Sequence, residues 1–197
     1  MKALLFILIP FILSGQVELL PFDSETKKVR YEYVFDFPNT TKNELYIRSK
    51  NWISDHFKSE KAVIQTDEKE DGLIIIKAHV PILWKLYDIS DPKKGKRDTV
   101  ILDIRQDKVE FTLKIYLKDN KAKFILTDIF EESMLGGEID ELFIKVANDL
   151  EVTNDPEHYG ILKHHRDIAK SINEDFINTL VSLKNELTKP KKNESEF

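Results

Sequence analysis

Apolar and polar residues alternate along the stretch that follows the first 28 residues. In residues 29–37 every odd position is apolar, and Val34 is the only apolar residue among the even ones. This period of two predicts a half-buried strand whose inner face is almost entirely aromatic. Pro38 removes a backbone donor and ends the predicted strand.

A helix is predicted directly after this strand, over residues 41–57. Thr41 suits the N-cap, and Glu44 stands three residues on, which is the spacing of a capping box. Arg48 and Lys50 fall largely outside the apolar side of the helix. That side should cover the aromatic face of the strand, with Trp52 and Phe57 buried against it; the side consists of Leu45, Trp52, Ile53 and Phe57.

Further alternating runs predict an antiparallel meander. A short strand over 62–67 and a charged turn ending in Gly72 lead into a strand over 73–80. Strands over 99–104, 109–117 and 122–130 should follow, because Gln106-Asp107 and Asp119-Asn120 read as tight turns. The inward residues of these last strands are expected to be Val100, Leu102, Ile104, Val109, Phe111, Leu113, Ile115, Leu117, Phe124, Leu126 and Phe130.

The last third of the chain reads as helical. Residues 139–150 have apolar residues at helical spacing, although a strand through residues 143–146 is an alternative. Asp155-Pro156 is typical of a helix start, and apolar residues then form one stripe up to Leu187, with Gly160 as a candidate interruption. The predicted domain spans 28–188, between a linker at 16–27 and a charged, disordered tail at 189–197.

The first fifteen residues predict export. Lys2 precedes an apolar run of eleven residues, too short to span a bilayer, and Ser14-Gly15 are small, as a signal peptidase site requires. We place cleavage before Gln16, with an uncleaved membrane anchor as the alternative. The expected location is therefore periplasmic or secreted, without a membrane span after cleavage. The chain has no cysteine, which excludes disulfides, thiolate chemistry and a lipid anchor at this position.

Composition and charge narrow the class further. The 197 residues are 41% apolar and 33% charged, which suits one globular α+β domain. The net charge of -5, spread as mixed sign, argues against nucleic acid as a partner.

Residues 81–97 combine aromatic rings with a basic turn. The candidate binding residues are Trp84, Tyr87, Lys93, Lys94, Lys96 and Arg97. They could contact an anionic or stacked ligand. The alternative is a long hairpin tip whose ring plugs the end of the sheet and whose lysines are solvated, and this is the interpretation that we favour.

Several segments resemble an exported bacterial family known only as a domain of unknown function with a TBP-like fold. They are Tyr31-Glu-Tyr-Val-Phe-Asp-Phe-Pro38, Lys42-Asn-Glu-Leu-Tyr46, Trp52-Ile53, Phe57, Ala62-Val-Ile-Gln-Thr-Asp67 and Gly72-Leu-Ile-Ile-Ile76. The resemblance covers residues 29–130 best. It implies a curved antiparallel sheet with helices on one face, in the order strand, helix, four or five strands, helix. It supplies no catalytic residues and does not imply DNA binding.

No catalytic or cofactor motif stands out, and no cofactor is expected. His158, His164 and His165 are close in sequence, but their spacing does not place two ligands on one helix face. An enzyme of unrecognised type stays open, and a pocket holding His79 or this histidine group beside a carboxylate would favour it.

The hypothesis that we favour is an envelope-facing binding module for a protein or glycan partner. A structural component of an envelope assembly is the other alternative. The uncovered sheet face should present a mixed polar surface for a partner: Arg30, Glu32, Asp36, Lys77, His79, Glu110, Thr112 and Lys114. Trp84 or Tyr87 is expected to be partly exposed and to contact the partner.

Overall fold

The fold is taken from a computed structural model that describes residues 20–57, 63–87, 101–131, 137–139 and 156–189. Eight strands and two helices lie in these ranges. In chain order they are β1 (Phe22–Asp23), β2 (Lys28–Val29), β3 (Tyr31–Asp36), α1 (Lys42–Phe57), β4 (Ile64–Glu68), β5 (Leu73–Tyr87), β6 (Ile101–Lys118), β7 (Lys121–Glu131), β8 (Gly137–Glu138) and α2 (Pro156–Thr188). Neither of these helices is long and apolar enough to cross a membrane.

One antiparallel sheet organises the domain, with the strand order β3-β7-β6-β5-β4. β4 to β7 form the predicted meander. β3, which precedes them in the chain, pairs with β7, with Tyr31 opposite Leu126. The short β8 pairs with the end of β7. This α+β arrangement confirms the predicted fold class.

The predicted turn at Gln106-Asp107 is wrong, because β6 runs through it as a single strand of 18 residues. Gln106 lies opposite Leu83 and Asp107 opposite Ile82, so these residues stay in register with β5. Continuous pairing with a long neighbour satisfies the backbone without a turn. Ile104, expected to point inward, is 62% exposed.

A β-bulge at the end of β7 also changes the predicted inner face. Asp128 has a φ of 52°, and the register with β6 shifts between Glu110 and Thr112. The extra residue reverses the alternation that follows it. Ile129 is consequently buried, whereas Phe130, predicted to point inward, is only half-buried.

The tight turn at Asp119-Asn120 is confirmed, because Lys118 pairs with Lys121. Of the two turn residues, Asn120 takes up a positive φ, of 62°. Its carbonyl accepts from the Phe37 amide and its own amide donates to the Thr40 carbonyl, which ties the turn to the chain leaving β3.

The core lies between the inner sheet face and the two helices. It includes Ile74, Ile76, Ala78 and Val80, which alternate along β5, and most of the residues predicted to point inward on the strands that follow. Its strand members are Val29, Tyr31, Ile74, Ile76, Ala78, Val80, Ile82, Val109, Phe111, Leu113, Ile115, Leu117, Ala122, Phe124, Leu126 and Ile129. The stripe predicted on the last helix is buried from Ile168 to Leu187, and the helix continues through Gly160.

The cover over β3 differs from the prediction. Trp52 is buried as expected and Phe57 half-buried, but Trp52 donates from Nε1 to Ser182 of α2 at 3.1 Å. The rings of Tyr31 and Phe176 meet edge to face at 5.8 Å, so α2 covers this part of β3. Tyr33, expected under α1, is 41% exposed. The two helices share the inner face, because α1 packs on α2 and β6 while α2 packs on β5.

Two hydrogen bonds fix the start of α1. The amide of Glu44 donates to Thr41 Oγ1 at 3.2 Å, as the capping box requires, and the amide of Lys42 donates to Asp119 at 2.7 Å. The Glu44 carboxylate, predicted to reach back to the cap, pairs with Arg48 at 2.5 Å. Arg48 also donates to the Leu187 carbonyl. Its side chain, predicted to fall largely outside the apolar side, is only 13% exposed, because it is held against the end of α2.

Some of the predicted segments lie outside the described residues. These are the signal segment at 1–15, the basic turn at 93–97, most of the helix predicted over 139–150, and residues 190–197. Part of the predicted linker is folded, since Leu20 is fully buried and β1 pairs with β2.

Candidate functional site

A groove lies between α2 and the far part of the β5–β6 hairpin. Residues 81–87 and 101–108 form a two-stranded ribbon there, because β4 pairs only with residues 73–76 of β5 and β7 pairs only with residues 109–118 of β6. We call this part the distal ribbon. The groove encloses about 530 Å³ and is lined by Pro81, Leu83, Lys85, Gln106, Asp167, Lys170, Ser171, Glu174 and Asp175.

Alternation along β5 and the buried stripe of α2 place these side chains. Ile82 is fully buried, so its neighbours Pro81 and Leu83 point to the opposite side of the ribbon. On α2, Ile168 and Ile172 face the core, which leaves Ser171 and Asp175 on the flank. The groove therefore depends on how the distal ribbon is placed relative to α2.

Charge in the groove is mixed, with an acidic excess. Asp167, Glu174 and Asp175 contribute three carboxylates, against the ammonium groups of Lys85 and Lys170. Burial, together with the neighbouring Glu174 carboxylate, raises the pKa of Asp175 above its usual value. A cationic group bound beside these two carboxylates would reduce their repulsion.

Two aliphatic side chains stand exposed on the groove side of the ribbon. Leu83 is 60% exposed and Ile104 is 62% exposed. Ile104 lies directly opposite Lys85, so it shares a face with the groove residues of β5. The site thus combines carboxylates with an adjoining apolar surface.

The predicted binding residues are only partly covered by the structure. Trp84 and Tyr87 lie in β5, opposite Arg105 and Ile101, but their side chains are outside the described part. Lys93, Lys94, Lys96 and Arg97 also lie outside it. The described groove uses Pro81, Leu83 and Lys85, from the same stretch as Trp84.

The groove residues of α2 were not among the predicted binding residues. Asp167, Glu174 and Asp175 look like an ordinary solvated flank of an amphipathic helix. A hairpin as long as β5–β6 would have indicated a ribbon that reaches α2. The turn that we predicted at Gln106-Asp107 divided β6 into two short strands, so the length of the hairpin was not recognised.

The histidines do not form a site in the described region. His79 is exposed opposite Glu110 and is not part of the groove lining. His165 is half-buried on α2, and the side chains of His158 and His164 are not among those that the structure describes. Among the described residues, no three His, Cys, Asp or Glu side chains are placed to hold a metal ion.

The second face of the sheet carries most of the mixed polar surface that was predicted. Lys77, His79 and Glu110 are exposed, but Thr112 is buried. Glu32 pairs with Arg30 at 2.5 Å and with Lys123 at 2.6 Å, and these hydrogen bonds lower the pKa of its carboxyl.

The order of strands and helices defines the class: an α+β domain with a TBP-like fold, built on one antiparallel sheet. Residues 31–131 match the family model of the domain of unknown function (DUF4468) with TBP-like fold. The chain belongs to this family, which confirms the resemblance seen in the sequence.

Two solved structures are similar to the chain. A DUF4468 family protein from Bacteroides ovatus has a TM-score of 0.54 and 16% identity, over 89% of this chain and 96% of that one. A TBP-like protein from Parabacteroides distasonis has a TM-score of 0.50 and 15% identity, over 85% and 99% respectively. These similarities establish the fold alone. Comparison with curated proteins gives no match.

Proposed function

We propose that this protein is an exported binding module that holds a peptide segment of a protein partner in the groove between α2 and the distal ribbon. The observation that carries the proposal is the groove itself. Its volume of about 530 Å³ is within the usual range for a ligand site. Its polar groups come from two different elements and converge on one space.

The chemistry of the groove favours a basic, partly apolar peptide. Acidic side chains outnumber ammonium groups, and burial together with Glu174 raises the pKa of Asp175. Leu83 and Ile104 add exposed aliphatic surface on the same side. A glycan partner would instead favour exposed aromatic rings, which the described lining does not contain.

Export rests on the first fifteen residues and agrees with a role in binding outside the cytoplasm. The intact mass of the protein from envelope fractions tests it. We expect a chain that begins at Gln16, and an intact Met1 would contradict cleavage.

Two synthetic peptides test the binding proposal: one of alternating lysine and leucine, and one of alternating glutamate and leucine. We expect the basic peptide to bind and the acidic peptide to bind at least about tenfold more weakly, with an affinity that falls as salt rises. Fluorescence anisotropy of labelled peptides gives both dissociation constants.

Matched variants locate the binding surface. Glu174→Gln with Asp175→Asn should weaken the basic peptide about tenfold, and Leu83→Ser should also weaken it. Ile47→Ser is the control, because Ile47 is 48% exposed on α1 and lies outside the groove lining. Equal binding of the two peptides, or a basic peptide indifferent to the groove variants, would refute the proposal.

A further inference from the structure

The second surface of interest is the free edge of the sheet, away from the groove. Among the described strands, β3 is the last of the sheet on this side. β1 pairs with β2, and the amide of Arg30 donates to the Pro21 carbonyl at 2.9 Å, so the edge is covered up to Arg30. Within the described residues, the edge beyond Arg30 has no strand beside it.

The backbone groups on this edge can be assigned by alternation. The amide of Phe37 donates to Asn120, on the β7 side, while the amide of Arg30 points the other way. Successive residues of a strand alternate in this respect. Glu32 and Val34 therefore direct their amide and carbonyl groups away from the sheet, as a pairing edge does.

The centre of this edge is apolar, although the charged residues Glu32 and Asp36 flank it. Tyr33 is 41% exposed and Val34 is 55% exposed. Both are residues that favour strands, and an exposed edge of this kind invites pairing with another strand.

α2 extends the same surface. The Tyr31 hydroxyl donates to Asn173 at 2.9 Å, and the Lys184 ammonium lies 4.8 Å from the Phe35 ring centre, so α2 follows β3 in the same direction. Ile177 and Val181 fall between these two contacts, level with Tyr33. They are 39% and 47% exposed.

We propose that this edge binds a second copy of the chain. Two β3 strands would pair antiparallel about a two-fold axis at Tyr33, which joins the two sheets and brings Ile177 and Val181 of both copies together. A patch that is apolar at its centre suits such a self-complementary contact. A single extended peptide would cover the strand but leave the exposed flank of α2 open.

Charge selects the register. With the axis at Tyr33, Glu32 of each copy lies opposite Val34 of the other, and the outward backbone groups of these two residues satisfy each other. An axis at Val34 would set Glu32 against Asp36, two like charges. An axis at Phe35 would bring together two Lys184 ammonium groups, since each lies over that ring.

Cysteine cross-linking tests the axis, because the chain contains no cysteine of its own. Tyr33→Cys would place two thiols in a directly opposed pair that is not hydrogen-bonded, with a Cα separation of about 4.5 Å, within the range of a disulfide. We expect copper phenanthroline in air to convert this variant to a covalent dimer. Ile47→Cys, with a site 48% exposed on α1, should stay monomeric on a denaturing gel.

Light scattering after size exclusion tests the apolar contact. The purified protein should elute as a dimer, Ile177→Lys with Val181→Lys should weaken the dimer at least about tenfold, and Ile47→Lys should leave it unchanged. Monomeric wild-type protein, or a Tyr33→Cys variant that forms no disulfide-linked dimer, would overturn the proposal. Preferential cross-linking of Val34→Cys would overturn the register. None of these variants touches the groove, so the peptide-binding test is independent.

Discussion

At the scale of residues, a few positions are constrained by their immediate surroundings. Gly72 has a φ of 68°, and a Cβ there would collide with the Leu117 carbonyl oxygen, so only glycine fits this turn. Asp175 is constrained by electrostatics instead, because burial and the Glu174 carboxylate both raise the pKa of its carboxyl. A carboxyl group whose pKa is shifted in this way is a common feature of functional positions.

Asp175→Asn should therefore raise the melting temperature at neutral pH, by about 1–3 °C. A folded-state pKa that is raised means that the folded chain binds the proton more readily, so stability falls as pH rises through that pKa. The gain from the substitution should grow as the pH rises above the ordinary pKa of 3.8 and vanish below it, where the carboxyl is protonated in both states.

Calorimetry of wild type and variant across this pH range checks the prediction. Asp71→Asn, in an exposed turn, is the control and should change little. A gain independent of pH would show that the effect does not come from the charge of Asp175.

At the scale of elements, α1 is held in place by other parts of the chain. Its first turn is capped by Thr41 and by Asp119 from the β6–β7 turn. Near its middle, Tyr46 and Lys50 donate to Asp67 of β4. Burial alone would raise the pKa of Asp67, but these hydrogen bonds outweigh it and lower the pKa. The helix is thus positioned by long-range polar contacts as well as by its apolar face.

Asp119→Ala should cost about 1 kcal/mol of unfolding free energy, because the Lys42 amide loses its acceptor. Chemical denaturation measures this loss. Asp119→Asn keeps an oxygen at the same place and should recover most of it. Asp71→Ala removes an exposed carboxylate from another turn and serves as the control. If Asp119→Asn were as unstable as Asp119→Ala, the cap would not explain the loss.

At the scale of the whole molecule, α1 and α2 contact each other and together form one layer over the inner face of the sheet. Trp52 is 3% exposed, bonds to Ser182 and packs edge to face on Phe57 at 5.5 Å. Phe57 in turn lies near Phe111, and Phe111 near Phe176 of α2. One aromatic cluster therefore connects α1, the sheet and α2.

Trp52→Ala should cost about 3–5 kcal/mol, since it leaves a cavity at this junction. Urea unfolding followed by circular dichroism measures the change. Trp52→Phe keeps a ring but not the bond to Ser182, and should fall between wild type and Trp52→Ala. Ile47→Ala, at an exposed position of α1, should have little effect. An unchanged midpoint for Trp52→Ala would mean that the helices do not depend on this contact.

The sequence by itself determined the elements whose signals are local. Alternation predicted β3, β5 and the inner face of β7 as far as its bulge, and the capping residues and apolar stripe predicted both of the described helices. These patterns are readable because side chains repeat with the period of their own backbone. The family resemblance then implied the order of the elements and the fold.

The tertiary structure alone decided how these elements meet. Pairing with β5 carried β6 through Gln106-Asp107, and the bulge at Asp128 reversed the faces that follow it. The same side-chain alternation leaves Tyr31 buried, with its ring against Phe176 of α2, and Tyr33 41% exposed. The groove arises where a helix flank and a ribbon distant in sequence come together. Contacts of that kind depend on packing, which no local period encodes.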